Sequence, residues 1–268
     1  YKHINECSFV IQFQIATLAP LQIWGYFMSF FQGWTIPVVD EATHQHLAAK
    51  TTELEQRLRD IATRFGAARF ASSLAVEDMV ITDVIARLGL NIEVFTLETG
   101  RLNPETSALI PATEARYGIK LRVMTPNEDA VKQYVNEHGR DAFYESVDLR
   151  RECCRIRKIE PLNRAISGAD AWLTGQRREQ SATREELPLE EFDANHQIAK
   201  FNPIFDWHEA DVWAYVEAHK VPVNALYQQH YPSIGCEPCT KPVRAGEDIR
   251  AGRWWWENKD TKECGLHK

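Results

Sequence analysis

The chain has 268 residues, 44% of them hydrophobic, which suffices for one large α/β domain or two small ones with a real core. Its 31 basic and 38 acidic residues leave a net charge of −7, which argues against nonspecific binding to nucleic acid or to an anionic membrane. The balance reverses locally: from Lys241 to the end seven Lys/Arg face five Asp/Glu, so a small anionic ligand remains compatible with that segment.

The first forty residues stand apart. No charged residue occurs between Cys7 and Val39, and Phe9–Phe31 is mostly apolar. Length alone makes this a candidate membrane span. Against that stand Gln12, Gln14, Gln22, Gln32 and the central Pro20, with no flanking Lys/Arg cluster to orient a span. No membrane association is expected. Residues 1–40, which begin on Tyr1, read as a variable extension, an upstream translated segment or an oligomer contact, and no function is built on them.

From Ala42 the pattern is regular. Leu47, Thr51, Leu54, Leu58, Ile61 and Phe65 recur at helical spacing, predicting an amphipathic helix that ends near Gly66. Ala67–Ala71 reads as a short strand, and Val80, Ile81, Val84, Ile85 and Leu88 as a helix stopped by Gly89. Then follow strand Ile92–Leu97, a helix from about Pro104 to Tyr117, strand Lys120–Met124 and helix Glu128–His138. After a loop come a helix from about Cys154 to Ile166 and strand Ala171–Thr174. This alternation predicts an α/β domain over 41–250, its mostly parallel, twisted sheet flanked by helices, with residues 251–268 as a flexible tail. Such sheets bind ligands beyond the carboxyl ends of their strands.

Three loops there carry polar chemistry. Ser72-Ser73-Leu74-Ala75-Val76-Glu77-Asp78 leads small residues into a helix start, which suits a phosphate or sulfate, or else is a capped helix with a capping-type acidic residue. Leu97-Glu98-Thr99-Gly100-Arg101 has a glycine for a tight turn and an arginine that could face the crevice. Thr174-Gly175-Gln176-Arg177-Arg178-Glu179-Gln180-Ser181 puts two arginines directly after a strand, as a solvated loop or an anion contact. Together on one sheet edge, the three favour an anion and nucleotide site.

Six cysteines occur, at 7, 153, 154, 236, 239 and 264. No signal-peptide pattern with a cleavage site precedes them, and an adjacent pair plus Cys-x-x-Cys suits a disulfide framework poorly. Metal or redox use in a reducing, cytoplasmic setting is expected. Cys153-Cys154 and Cys236-Glu237-Pro238-Cys239 could hold zinc or an iron–sulfur cluster. Neighbouring helical residues point about 100° apart, which strains a shared single ion more than a cubane with separate corners. Lys158, four residues past Cys154, would lie one turn on, as a cation beside the metal or as an ordinary helix lysine. Cys264, next to Gly265 in the tail, is either an incidental thiol on a frayed end or a mobile nucleophile.

Cys153-Cys154-x-x-x-Lys158, Gly235-Cys236-x-x-Cys239-Thr240, Arg253-Trp254-Trp255-Trp256-Glu257 and Lys262-Glu263-Cys264-Gly265-Leu266-His267 resemble the assimilatory adenylyl-sulfate (APS) reductases. These are thioredoxin-dependent relatives of phosphoadenylyl-sulfate (PAPS) reductases. The loops at 73–78 and 97–101 also match, the first as an altered ATP-pyrophosphatase phosphate loop. The likeness runs from about residue 45 to the end and does not include the first forty residues. It implies an adenine nucleotide α-hydrolase-like fold, a [4Fe-4S] cluster on Cys153, Cys154, Cys236 and Cys239, and a tendency to self-associate. Ser73, Thr99, Gly100, Arg101 and Arg178 would surround the nucleotide; Lys158, Arg250, Arg253 and His267 would surround the phosphosulfate. Cys264 would be the nucleophile that takes the sulfo group and passes it to thioredoxin. The four cluster cysteines favour APS over PAPS. The Trp254–Trp256 run reads as core or interface aromatics. Three alternatives stay open: a PAPS reductase, an ATP pyrophosphatase acting as a sulfurtransferase, and a zinc-stabilised binding module. Against the second, the loop lacks the Ser-Gly-Gly-x-Asp-Ser glycines and nothing strongly basic is present for tRNA.

Overall fold

Asp40 starts the first helix, its carboxylate accepting from the Thr43 amide at 2.8 Å. In the computed structural model, which describes residues 32–180, 186–258 and 262, this helix (α1) spans Glu41–Arg64 and buries Leu47, Leu54, Leu58 and Ile61, the predicted stripe. Strand β1 (Ala68–Ala71) leads to α2 (Val76–Leu88), which Gly89 ends in the left-handed conformation at φ +59°. Then come β2 (Ile92–Leu97), α3 (Pro104–Tyr117), β3 (Arg122–Met124) and α4 (Glu128–His138), capped by Asn127.

The next helix starts earlier than the sequence reading has it. Ser146 caps it by accepting from the Leu149 amide, so α5 runs Val147–Cys154 and the cysteine pair ends a formed helix. A π-helical turn, Arg155–Ile159, separates it from α6 (Glu160–Ile166). Lys158 lies within this wider turn and lines one pocket with Cys153 and Cys154, on the side expected from its spacing. Strand β4 (Ala171–Leu173) follows, then an unpredicted hairpin, β5 (Glu190–Asp193) and β6 (Ile198–Phe201), and helix α7 (Glu209–His219).

The six strands order as β3-β2-β1-β4-β6-β5, all neighbours parallel except the β5–β6 pair. The chain thus builds outward from β1 through β2 to β3 and then restarts on the other side with β4. That reversal opens a crevice between β1 and β4 at the strand ends. One large core joins α1, α2 and α7 to the sheet through Leu54, Phe70, Val80, Leu173, Ile204 and Val212. Residues 33–40, the end of the segment read as an extension, pack on this core: Trp34 donates its amide to the Val243 carbonyl and tilts against Tyr227. Among the described residues no helix is long and apolar enough to cross a membrane. Cys7, Cys264 and His267 lie outside the described residues.

Candidate active site

A cleft of about 260 Å³ opens at the predicted strand ends. Ser73, Thr99, Lys158, Arg250 and Arg253 line it, with Thr174–Gln176 from the end of β4 and Tyr227 from the loop after α7. Gly100, Arg101 and Arg178 do not. Gly100 sits at φ +69° and turns the chain, and an added Cβ there would stand 3.2 Å from Arg157 Nη1. Arg101 pairs with Asp141 at 2.6 Å and lies over the Phe143 ring. Arg178 donates to the Leu187 carbonyl and stacks on Phe205, 4.5 Å from its centroid. The adjacent Arg177 is the buried one, bound to Glu77 at 2.9 Å and Glu179 at 2.7 Å.

The loop after β1 is more constrained than a flexible phosphate loop. Leu74, 1% exposed, holds φ +62°, a region costly for a branched side chain. Asp78 lies in the first turn of α2 and folds back: its Oδ2 accepts the Ser73 amide at 2.7 Å and the Ser73 hydroxyl. The amide of Gly175, across the crevice after β4, bonds the same carboxylate. A Cβ on Gly175 would come 2.0 Å from Asp78 Oδ1, so only glycine permits this approach. Burial pushes the Asp78 carboxyl up to about 7, with a smaller upward push from Glu77, while the Ser73 and Gly175 hydrogen bonds hold it down. The Val76 amide is taken by the Tyr227 hydroxyl at 2.8 Å.

Beside the cleft, Cys153, Cys154, Cys236 and Cys239 line one small pocket with Arg101, Arg150, Arg157 and Lys158. None of the four is in a disulfide. Lys158 and Cys236 border both spaces, so the cysteine pocket adjoins the cleft at a cationic side chain. Three sulfurs have hydrogen-bonding neighbours: Cys153 has Arg157, Cys154 has Arg150, and Cys236 has the Thr99 hydroxyl at 3.3 Å. Arg157 also donates to the Thr99 carbonyl at 2.7 Å, tying the loop after β2 to the cysteine helix. Burial raises the Cys153 thiol, and burial with the charge of Cys236 pushes Cys239 up to about 12, so without a bound metal these thiols keep their protons. The four line one pocket, while among the described residues no group of three His, Cys, Asp or Glu side chains is arranged to hold a single metal ion.

The sequence reading did not single out Arg150 and Arg157, although their spacing, one four residues before Cys154 and the other four after Cys153, carries the signal. For Asp78 there is no such signal, because Asp in a first helical turn reads as an ordinary capping residue.

The chain's last described residues return to this site. Arg150 is sealed against Glu257 by two hydrogen bonds of 2.8 Å, with side-chain exposures of 1% and 3%, and its guanidinium lies 4.8 Å from the Trp254 ring centre. Arg253 donates to the Ile234 carbonyl at 3.0 Å. Arg250 donates to the Lys262 carbonyl at 3.3 Å, and Lys262 Nζ reaches the Ala251 carbonyl at 3.4 Å.

The sequence profile of the phosphoadenosine phosphosulfate reductase domain matches residues 68–242. A protein of Neisseria meningitidis serogroup A named adenosine 5'-phosphosulfate reductase is 61% identical over 236 residues, 88% of this chain and 97% of that protein. Its namesake in Burkholderia cepacia is 58% identical over 82% of this chain and 88% of that one. Among solved structures, the phosphate complex of PAPS reductase from Candida auris superposes with a TM-score of 0.62 at 26% identity, over 78% of this chain and all of that one. With the fold, the crevice and these likenesses in agreement, the chain belongs to the phosphoadenosine phosphosulfate reductase family.

Proposed function

We propose that the protein reduces adenosine 5'-phosphosulfate to sulfite and AMP with thioredoxin as electron donor, in the cytoplasm, as a step of assimilatory sulfate reduction. The observation that carries the reading is the contact of Arg250, a cleft-lining cation, with the carbonyl of Lys262, two residues before Cys264. Two residues span at most about 7 Å, a length over which a chain held at Lys262 could bring the Cys264 thiol to the cleft.

Lys158, Arg250 and Arg253 line the cleft and supply positive charge to it, beside which the phosphosulfate would sit. There they neutralise the charge that develops on the leaving phosphate. Cys264 Sγ, as thiolate, attacks the sulfate sulfur; the new S–S bond forms as the S–O bond to AMP breaks, leaving an S-sulfocysteine. Lys262, His267 and Lys268 favour the thiolate, offset in part by Glu263. A thioredoxin thiolate then attacks Cys264 Sγ and releases sulfite. Its second thiol resolves the mixed disulfide, so the dithiol is oxidised by two electrons as sulfur(VI) becomes sulfur(IV).

Cys153, Cys154, Cys236 and Cys239 would hold a [4Fe-4S] cluster. Four cysteines that line one pocket, two of them buried and two partly so, suit a group that offers each thiolate its own iron. When bound, the cluster supplies structure and a local charge that Arg150, Arg157 and Lys158 balance. Anaerobically purified protein is expected to be brown, with about four irons per chain; a colourless protein with one zinc would replace this cofactor assignment.

The test of the reaction is the covalent intermediate. Incubated with APS and no thioredoxin, the protein is expected to gain one sulfo group on the peptide carrying Cys264, and Cys264→Ser to gain none while still binding AMP. A sulfo group on that peptide in the serine variant would remove Cys264 from its role.

A further inference from the structure

The segment before α1 is fastened to the domain at successive residues. Gly33 forms an antiparallel bridge with Arg244, and the Trp34 amide donates to the Val243 carbonyl at 2.8 Å. His230 Nδ1 donates to the Trp34 carbonyl at 2.7 Å, while the His230 carbonyl accepts the Val243 amide at 2.9 Å. Three segments separate in sequence thus close one ring of hydrogen bonds. A Cβ on residue 33 would stand 2.2 Å from His230 Cγ, so glycine is what lets this strap lie so close. Beyond it, Ile36 and Val39 pack on the main core.

What the strap holds is Tyr227. The Trp34 ring tilts against the Tyr227 ring at 6.3 Å between centroids, and Trp213 meets the same ring edge-on at 5.1 Å. Tyr227 is 3% exposed and lines the cleft. Its hydroxyl accepts the Val76 amide at 2.8 Å. Val76 is the first residue of α2, whose N-cap, Ala75, makes no side-chain hydrogen bond to the amides of the first turn. Tyr227 supplies that cap from a distant part of the chain. Burial keeps the phenol protonated, and the charge of Glu77 adds to this. Having accepted the amide, the hydroxyl still has its own hydrogen to donate. Ser73 and Ala75, just before the helix, line the same cleft.

We propose that residues 33–40 are a brace of the cleft and that Trp34 is a positioning residue: acting through Tyr227, it fixes the entry of α2 and the hydroxyl that the cleft presents to a bound nucleotide. The inference rests on the nucleotide reading of the cleft given above. The lever is geometric. Removing the indole opens one flank of Tyr227, so the phenol ring can turn and the Val76 amide loses its acceptor. An amide orphaned in a buried wall is costly, and the loop before α2 relaxes from the shape that receives the nucleotide.

The test uses the full-length holoenzyme and reads binding by calorimetric titration of AMP, with kcat and KM for APS measured beside it. Trp34→Ala is expected to weaken AMP about tenfold and to raise KM by a similar factor, with kcat within about twofold of wild type. Trp34→Phe, which restores a ring against Tyr227, is expected to bind AMP within about threefold of wild type. Tyr227→Phe keeps the ring, removes only the hydroxyl, and is expected to weaken AMP about tenfold as well. In the double variant, Trp34→Ala with Tyr227→Phe, the two losses should not add, because Trp34 acts through the hydroxyl. Leu58→Ala empties a fully buried site on α1 that does not line the cleft, and should lower Tm with AMP affinity unchanged. Should Trp34→Ala not fold, Trp34→Leu, which keeps apolar bulk without a ring, takes its place. Wild-type AMP affinity in the Trp34 variant, or losses that add in the double variant, overturns the inference. An equal loss in Leu58→Ala makes the effect one of general stability and overturns it too. A wild type that binds AMP, shows these losses and turns over no APS sinks the reductase reading alone; one that binds no AMP removes the nucleotide reading and the inference with it.

Discussion

The Glu257→Gln substitution leaves the Arg150 guanidinium in place, 1% exposed, without the carboxylate that neutralises it. Breaking a buried pair by removing one partner costs about 3–5 kcal/mol, because the remaining charge stays out of water. The chain has one escape, which is to let the segment around Trp254 and Glu257 lift away so that Arg150 is hydrated. Trp254 is 1% exposed and sits against both Arg150 and Arg253. Exposing a tryptophan of roughly 200 Å² at about 25 cal/mol per Å² costs about 5 kcal/mol. Release is thus no cheaper than keeping the bare charge, and the loss should stay near 3 kcal/mol or above. For a unit of this size that is a fall in Tm of roughly 10 °C. Urea denaturation followed by tryptophan emission reads both routes, a lower midpoint for the retained charge and a red-shifted native spectrum for release. A double variant, Arg150→Met with Glu257→Leu, should recover most of the loss. A loss below about 1 kcal/mol with an unshifted native spectrum would refute the reasoning.

Other expectations follow from the loop and cofactor residues. Gly175→Ala places a Cβ 2.0 Å from Asp78 Oδ1, so AMP affinity measured by calorimetry should drop at least tenfold. Asp78 has its carboxyl raised from 3.8 to about 7 in the folded protein. Its contribution to stability is therefore full below pH 4 and lost as pH climbs to 7, amounting to about 4 kcal/mol at 1.36 kcal/mol per pH unit. The stability difference between wild type and Asp78→Asn should shift by a sum of that order between pH 4 and pH 8, and a flat difference would contradict the burial argument. Leu74→Gly relieves a strained φ worth about 1 kcal/mol but empties a fully buried leucine site worth about 2–3 kcal/mol, so the net effect in urea denaturation should be destabilising.

What could be read from the sequence divides along physical lines. Helices α1 to α4 and strand β2 were plain because period and caps agree there: Asp40, Asn127, Gly89 and Gly118 bracket runs whose apolar residues share a face. The β5–β6 hairpin was not, since Glu190–Asp193 is a charged edge strand whose pairing is set by its partner rather than by its own residues. The start of α5 was hidden because Ser146 precedes charged residues with no apolar stripe, and it shifts the cysteine pair from the beginning of a helix to its end. Site residues divide the same way. Ser73, Thr99, Lys158, Arg250 and Arg253 line one cleft. Arg101 and Arg178 are turned onto Asp141 and Phe205 instead, which spacing alone cannot foretell because adjacent loop residues point to opposite sides.

The connection between the cysteine pocket and the tail is the feature that no single motif carried. Arg150 touches Cys154 on one side and is locked to Glu257 on the other, so the helix that ends in the cysteine pair also holds the root of the tail. Cys264 lies seven positions beyond Glu257, at most about 23 Å when extended, and within that stretch Arg250 holds the Lys262 carbonyl. Breaking the second contact, by Arg250→Ala, frees the span while leaving its root fixed. Breaking the first, by Glu257→Gln, loosens the root beside the cysteines. The first variant should slow formation of the sulfo adduct with iron content unchanged, whereas the second should lower iron content and stability together. If the two variants behaved alike, the anchor and the arm would not be separate parts.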